Sequence, residues 1–256
     1  MNDRSAHQHH IKVAGIAKSY GGKAALADVS FTIAPGEFVA VLGPSGAGKT
    51  TLFRCMTGLL AADRGSVTAA ELDVMHLRGR ARRHIAVVFQ QFNLVNRLTA
   101  LDNVLAGRLG YVPAWRGVFR RFTRTDRLLA LDCLERVGLI DHANQRADTL
   151  SGGQQQRVAI ARALAQQPLA IVADEPVASL DPKTGAEILA LLGDICHRDR
   201  VALVCSLHQL DLAQTYADRI VGLAEGRLVV DVERRSFDDA LARKVYGMAD
   251  AVPQMS

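Results

Sequence analysis

Gly43-Pro44-Ser45-Gly46-Ala47-Gly48-Lys49-Thr50 matches the pattern G-x-x-x-x-G-K-[ST] at every fixed position, and Thr51 follows it. The motif lies between the apolar run Phe38–Leu42 and the segment Thr51–Met56, which reads as a helix. In such a strand–loop–helix setting glycines let the backbone wind tightly. Successive N–H groups and the helix N-terminus then point at phosphate oxygens. Lys49 would reach the β- and γ-phosphates of a nucleotide, and Thr50 would offer a hydroxyl to Mg2+. A second glycine pair, in Ser151-Gly152-Gly153-Gln154-Gln155, also opens a helix, but no lysine or metal-binding hydroxyl follows it. A chain with one complete nucleotide site has little use for an incomplete second one, unless it completes the site of another copy.

Leu169-Ala170-Ile171-Val172-Ala173-Asp174-Glu175 is an apolar strand ending in two carboxylates. Successive strand residues face opposite ways, so the two groups are free to do separate jobs. Asp174 would hold the Mg2+ shell beside Thr50, leaving Glu175 to polarise a water against the γ-phosphate. With the complete phosphate loop upstream, this pair predicts a nucleoside triphosphatase rather than a simple binder.

The elements that must position these groups are visible as short apolar runs without alternation: Phe38–Leu42, Ile85–Phe89, Leu169–Ala173 and Val201–Val204. Such runs are expected of strands buried on both faces. Between them lie helical stretches; Ile188, Leu191, Leu192 and Ile195 form one apolar stripe on Thr184–His197. The alternation predicts an α/β fold with a mostly parallel sheet and ligands at the strand C-terminal ends. Val13, Ile16, Phe31 and Ile33 around Tyr20-Gly21-Gly22 predict short antiparallel strands near the N-terminus. The interval from about 93 to 154 has no strand-like run and reads as an inserted α-helical subdomain. Its clearest helix spans Asp126–Val137, with Leu128, Leu131, Leu134 and Val137 at three-residue steps. The core then takes about 8–92 and 155–250 of a single 1–256 domain, with a frayed tail over 250–256.

At 256 residues, 49% hydrophobic and 22% charged, the composition is that of an ordinary globular chain. No apolar stretch approaches a membrane span, and Met1 to His10 is too polar for a signal peptide. The chain is expected on the cytosolic side, touching a membrane only through a partner. Cys55, Cys133, Cys196 and Cys205 lack metal or redox spacing and read as reduced core thiols. The net charge of +5 and pI near 9.2 come with two arginine clusters, Arg78, Arg80, Arg82, Arg83 and Arg116, Arg120, Arg121, Arg124, Arg127. These are solvated faces, or a contact with a membrane subunit or anionic headgroups. Nucleic acid is disfavoured because aromatic residues are only 5% of the chain and form no visible stacking platform. His7, His9 and His10 read as part of a disordered tail.

Leu150-Ser151-Gly152-Gly153-Gln154-Gln155-Gln156-Arg157, with the motifs above, resembles the signature of the ATP-binding cassette (ABC) ATPase subunits, and the resemblance covers almost the whole chain. Ser179-Leu180-Asp181 is similar to that family's D-loop, His208 to its switch histidine, Gln90 to its Q-loop glutamine and Tyr20 to the aromatic that stacks on adenine. The resemblance implies a P-loop NTPase core with an N-terminal antiparallel β subdomain and a helical insert. It implies that ATP is bound through Tyr20, Gly43 to Thr51 and Asp181, with Mg2+ on Thr50, Gln90 and Asp174. Lys49, Glu175, His208 and Gln90 would be the catalytic groups. It also implies a head-to-tail pair of copies, in which Ser151, Gly152, Gly153 and Gln154 of one cap the γ-phosphate held by the other.

Membrane-spanning permease subunits would dock near Gln90 and the insert, on the inner face of the cell membrane, with a substrate-binding protein as an indirect partner. Phe89–Thr99, Gly107-Arg108-Leu109-Gly110, Trp115-Arg116 and Ser206-Leu207-His208-Gln209 are similar to the ATP-binding subunits of phosphonate importers. Import of phosphite or phosphate, or a non-transport role in a carbon–phosphorus bond-cleaving complex, stays open. One departure stands out: between Gly65 and Leu77 the family has a hairpin with a glycine turn, and Thr68-Ala69-Ala70-Glu71 offers no glycine, which leaves the local hairpin open.

Overall fold

The computed structural model describes residues 11–70, 72–74, 83–113, 117, 119 and 121–247. His7, His9, His10, Arg78, Arg80, Arg82, Trp115, Arg116, Arg120 and the 250–256 tail lie outside the described residues.

β1 (Ile11–Tyr20) and β2 (Lys23–Ile33) form the antiparallel hairpin expected near the N-terminus, though each strand is longer than the sequence suggested. Tyr20 pairs with Lys23 across Gly21 and Gly22, whose φ values of 54° and 82° give the two left-handed residues of a tight hairpin. β4 (Arg64–Ala69) and β5 (Leu72–Asp73) complete a 4-stranded sheet in the order β2-β1-β4-β5. The hairpin that the sequence left open is present: Thr68 pairs with Asp73 and Ala69 with Leu72. Ala70 takes the left-handed conformation itself, at φ 46°. Strand pairing outweighs the cost of about 1 kcal/mol for placing a Cβ there.

The second sheet has 6 strands in the order β10-β9-β3-β8-β7-β6. They are β3 (Phe38–Leu42), β6 (Ile85–Phe89), β7 (Ala170–Asp174), β8 (Ala202–Ser206), β9 (Arg219–Ala224) and β10 (Arg227–Glu233). All neighbours are parallel except the β9–β10 hairpin. β3 shows why unbroken apolar runs mark this sheet. Val39 and Val41 join the core shared with the first sheet and with Leu52, Phe53 and Met56 of α1 (Lys49–Met56). Phe38, Ala40 and Leu42 point the other way, into a core with Ile188 and Leu192. Neither face meets water.

Across that second face lie α2 (Ala100–Ala106), α3 (Arg124–Arg136), α4 (Gly152–Ala165) and α5 (Pro182–Asp199), followed by α6 (Leu210–Tyr216) and α7 (Asp239–Tyr246). α3 corrects the three-residue stripe read from the sequence. Ala130, Cys133, Leu134 and Val137 are its buried face, whereas Leu128 is 57% exposed. The 3.6-residue period selects i, i+3, i+4 and i+7 over simple steps of three. α4 packs on α2, α3 and β6, so the boundary at 154/155 falls inside one helix. All four cysteines are buried and free.

Arg108, only 8% exposed, fastens this helical region to the end of α4. Its Nε donates to Asp126 Oδ1 at 3.0 Å, and its Nη1 donates to Ala165 O at 2.9 Å and Gln167 Oε1 at 3.0 Å. The Tyr111 ring covers the guanidinium at 3.5 Å. Burial raises the Asp126 carboxyl pKa, but the Thr123 hydroxyl, Arg108 and the Thr123 amide together hold it below the usual range. Arg108→Ala leaves that carboxylate buried without its cation. The expected loss is about 3 kcal/mol of unfolding free energy, read by denaturant titration. A group with a depressed folded pKa contributes above its unfolded pKa and loses the contribution as pH falls. The gap between variant and wild type therefore narrows on acidification. A loss under about 0.5 kcal/mol at neutral pH would contradict this role.

Candidate active site

The phosphate loop joins β3 to α1. Gly43 and Gly48 have φ values of 154° and 104°, and a Cβ on them would lie 2.3 Å from Leu223 O and 2.5 Å from Ala25 O respectively. Backbone from two other strands closes on the loop, so only glycine fits at both positions. Lys49 opens α1 and is 6% exposed; its Nζ donates to Gly43 O at 2.5 Å and Pro44 O at 3.2 Å. Burial lowers its pKa, against the pull of Glu175 and Asp174, which raise it. A buried ammonium at the start of a helix, inside a glycine loop, is a site for a polyanion.

Asp174 ends β7 and Glu175 follows in a left-handed turn at φ 49°, a strained conformation for a side-chain-bearing residue. Buried Ser206, at the end of the adjacent β8, fixes both. Its Oγ donates to Asp174 Oδ1 at 2.9 Å and accepts from the Glu175 amide at 2.8 Å. Burial pushes the Asp174 carboxyl up, Ser206 pulls it down and Glu175 raises it further. Beyond β8, His208 Nε2 sits 2.5 Å from Glu175 Oε1. Ser45 to Thr51, Glu175 and His208 line one cavity, together with Ala25. Thr50 and Asp174 border a second, smaller space beside it. A hydroxyl and a carboxylate are donor types a hard divalent cation takes, so the chemistry of Thr50 and Asp174 fits Mg2+, in a space whose other walls include Phe53, Arg54, Phe89 and Val172.

Of the other predicted residues, Asp181 lines an adjoining cavity with Glu175, Ser206 and His208, and the rest lie away from the cavity of Lys49. Gln90 follows β6, whose Phe89 pairs with Asp174, but its side chain borders a groove with Phe92, Asn93, Gln155 and Ser179. Tyr20 sits on the exposed β1–β2 turn, with Lys18 Nζ 5.9 Å from its ring. Asp181 caps α5 by accepting from Thr184 N at 3.0 Å; its pKa is lowered first by the Thr184 side-chain hydroxyl and then by that amide. Ser151 caps α4: its Oγ accepts from Gln154 N at 3.3 Å, and Gln154 Oε1 accepts from Ser151 N at 3.0 Å. Gly153 needs no special φ; a Cβ there would lie 2.5 Å from Thr184 Cγ2, so its smallness serves packing against α5. Ser151 to Gln154 do not line the cavity of Lys49.

Sequence reasoning passed over Ser206 as a working residue. The available signal was a hydroxyl closing an otherwise apolar strand two residues before His208. Ser206→Ala leaves the Glu175 amide without its acceptor and Asp174 without its donor. The expected result is a roughly tenfold fall in kcat for the hydrolysis this site supports, with KM changed less than about threefold. Ser206→Thr keeps the hydroxyl and should restore most of the rate; an alanine variant with wild-type kcat would contradict the assignment.

The family pattern described as ABC transporter matches residues 26–178. The hypophosphite import ATP-binding protein HtxD of Stutzerimonas stutzeri is 48% identical, over 92% of this chain and 70% of its own length. The phosphonates import ATP-binding protein PhnC of Bradyrhizobium diazoefficiens is 47% identical, over 92% of this chain and 89% of its own. Among solved structures, the dimeric post-hydrolysis state of the ATP-binding cassette MJ0796 bound to ADP and Pi gives a TM-score of 0.75 at 37% identity, covering 89% of this chain and 100% of that one. The ADP conformation of the cassette MJ1267 gives 0.82 at 27% identity, covering 93% and 96%.

Proposed function

This chain belongs to the ABC transporter family, and from that premise we propose that it hydrolyses ATP to power import of phosphonates through a membrane permease. The observation that carries the reading is the convergence of Lys49, Thr50, Glu175 and His208 on one cavity. In this reading Gly43 to Thr51 cradle the phosphates, and Lys49 takes their charge. Thr50 and Asp174 hold Mg2+, which when bound neutralises developing phosphate charge. Glu175 accepts a proton from the attacking water, with His208 holding its carboxylate in place. Tyr20 lies against the adenine, and Asp181 and Gln90 act at the edges of the site.

Because Ser151 to Gly153 sit away from Lys49 of the same chain, a second copy supplies them head to tail. α4 presents its N-terminal N–H groups there, the end of a helix that favours anions. The groove of Gln90 and Phe92 receives the permease, on the cytoplasmic face of the inner membrane.

The likeness to the hypophosphite import protein favours a second reading, in which the cargo is a smaller, reduced phosphorus oxyanion. Growth separates the two. Cells deleted for this chain are supplied with a phosphonate, hypophosphite or phosphate as sole phosphorus source. Loss of growth on the phosphonate alone supports phosphonate import, and loss on hypophosphite alone moves the cargo to the second reading. Equal growth on all three, with no redundant importer present, overturns both.

A further inference from the structure

The arginine-rich segment before α3 also carries large apolar side chains on its surface. Leu109 is 49% exposed, Phe119 69% and Leu128 57%. Gly117 neighbours the first of them, since a Cβ on it would be 2.8 Å from Leu109 Cδ2, and the Arg108–Asp126 contact sets the first turn of α3 beside the residue that precedes Leu109. A Cβ on Gly110 would be 3.7 Å from Arg83 Cβ, which places Arg83 at the same edge, its guanidinium 4.1 Å from the Tyr111 ring. On α3, Arg124 and Leu128 are i,i+4 neighbours, with Arg127 alongside and Arg121 just before the helix, all exposed.

Among the described residues, no acidic side chain pairs with Arg121, Arg124 or Arg127. Asp126, the acid of the first turn, is committed to Arg108, and Asp102 has its own partner. Asp132 and Glu135 come only later along α3. Arginines in a first turn face the positive end of the helix dipole, so stability does not account for them. Trp115, Arg116 and Arg120 add the same residue types to the sequence between.

We infer that the surface of Arg83, Leu109, Phe119, Arg121, Arg124, Arg127 and Leu128 binds anionic lipid headgroups directly, without a permease. Guanidinium groups take the phosphates while phenylalanine and leucine enter the boundary between headgroups and acyl chains. A free phosphate would give no reason for exposed Phe119 and Leu128. The bilayer surface supplies both chemistries in one plane.

The test is flotation of the purified full chain with vesicles of phosphatidylcholine alone, or phosphatidylcholine mixed with phosphatidylglycerol. Binding is expected only to the mixed vesicles and weakened by high salt. The triple variant Arg121→Gln, Arg124→Gln, Arg127→Gln should bind at least about tenfold more weakly. Phe119→Ser with Leu128→Ser should lose binding that salt does not remove. The control Arg198→Gln, Arg227→Gln, Arg235→Gln removes equal charge from other surfaces and should bind like wild type. Unchanged ATP hydrolysis in solution shows that each variant is folded. Equal weakening by patch and control variants would reduce the effect to net charge and overturn the inference. So would absence of binding to either vesicle, and permease co-purification lost in the patch variants without any vesicle binding would assign the surface to protein instead.

Discussion

Glu175→Gln is expected to lower ATP hydrolysis by about 10³-fold, the scale of a lost general base, while ATP still binds. The substitution keeps the shape of the side chain and an oxygen facing His208 Nε2, 2.5 Å away in the wild type. The backbone turn at φ 49°, held through the Glu175 amide to Ser206, is untouched. Only the ability to accept a proton disappears. If Ser151 to Gly153 of a second copy complete the site, ATP that cannot be cleaved should hold two copies together. Light scattering of the variant should then show a dimer with ATP and a monomer without it. A variant that hydrolyses ATP normally would remove Glu175 from the chemistry. One that binds ATP yet stays monomeric would count against the shared site.

Lys49→Ala should abolish measurable ATP binding, lowering affinity by about 10² or more, the cost of losing a buried charged contact to a polyanion. The folded chain should tolerate the change. Lys49 is 6% exposed, its ammonium is disfavoured by burial, and its contacts within the chain are two carbonyls of its own loop. Removing a desolvated charge offsets the loss of those hydrogen bonds, so the unfolding midpoint should move little. Titration with a fluorescent ATP analogue, alongside thermal unfolding, separates the two effects. Retained affinity would place the phosphates elsewhere; lost affinity with a collapsed unfolding midpoint would make Lys49 structural.

The site residues that sequence reasoning found are those whose chemistry is local. The phosphate loop, Asp174 with Glu175 and His208 each sit beside an apolar run that announces a buried strand. β9 was not anticipated although it lies next to β3 in the sheet, because Gly222 interrupts its apolar run. A Cβ there would lie 2.3 Å from Val245 Cγ2, so the glycine answers to α7, which comes much later in the chain. Ser206 and Arg108 were missed for the same reason. Their partners, Asp174 and Glu175 for one and Asp126 and Ala165 for the other, are brought near only by folding. Gly153 was read as part of a phosphate cradle from its place at a helix start and in the signature, and its close packing against the side chain of Thr184 was not visible there. The hairpin at Ala70 shows the opposite case: the missing glycine left it open, and strand pairing decided it.

The most direct test of the central claim is labelled-phosphonate accumulation in proteoliposomes containing the permease and this chain, with its binding protein and ATP supplied on the appropriate sides. Accumulation that requires ATP with the wild-type chain and disappears with Glu175→Gln is the result predicted. ATP hydrolysis by the wild-type complex without any phosphonate accumulation, or accumulation undiminished by Glu175→Gln, would contradict it.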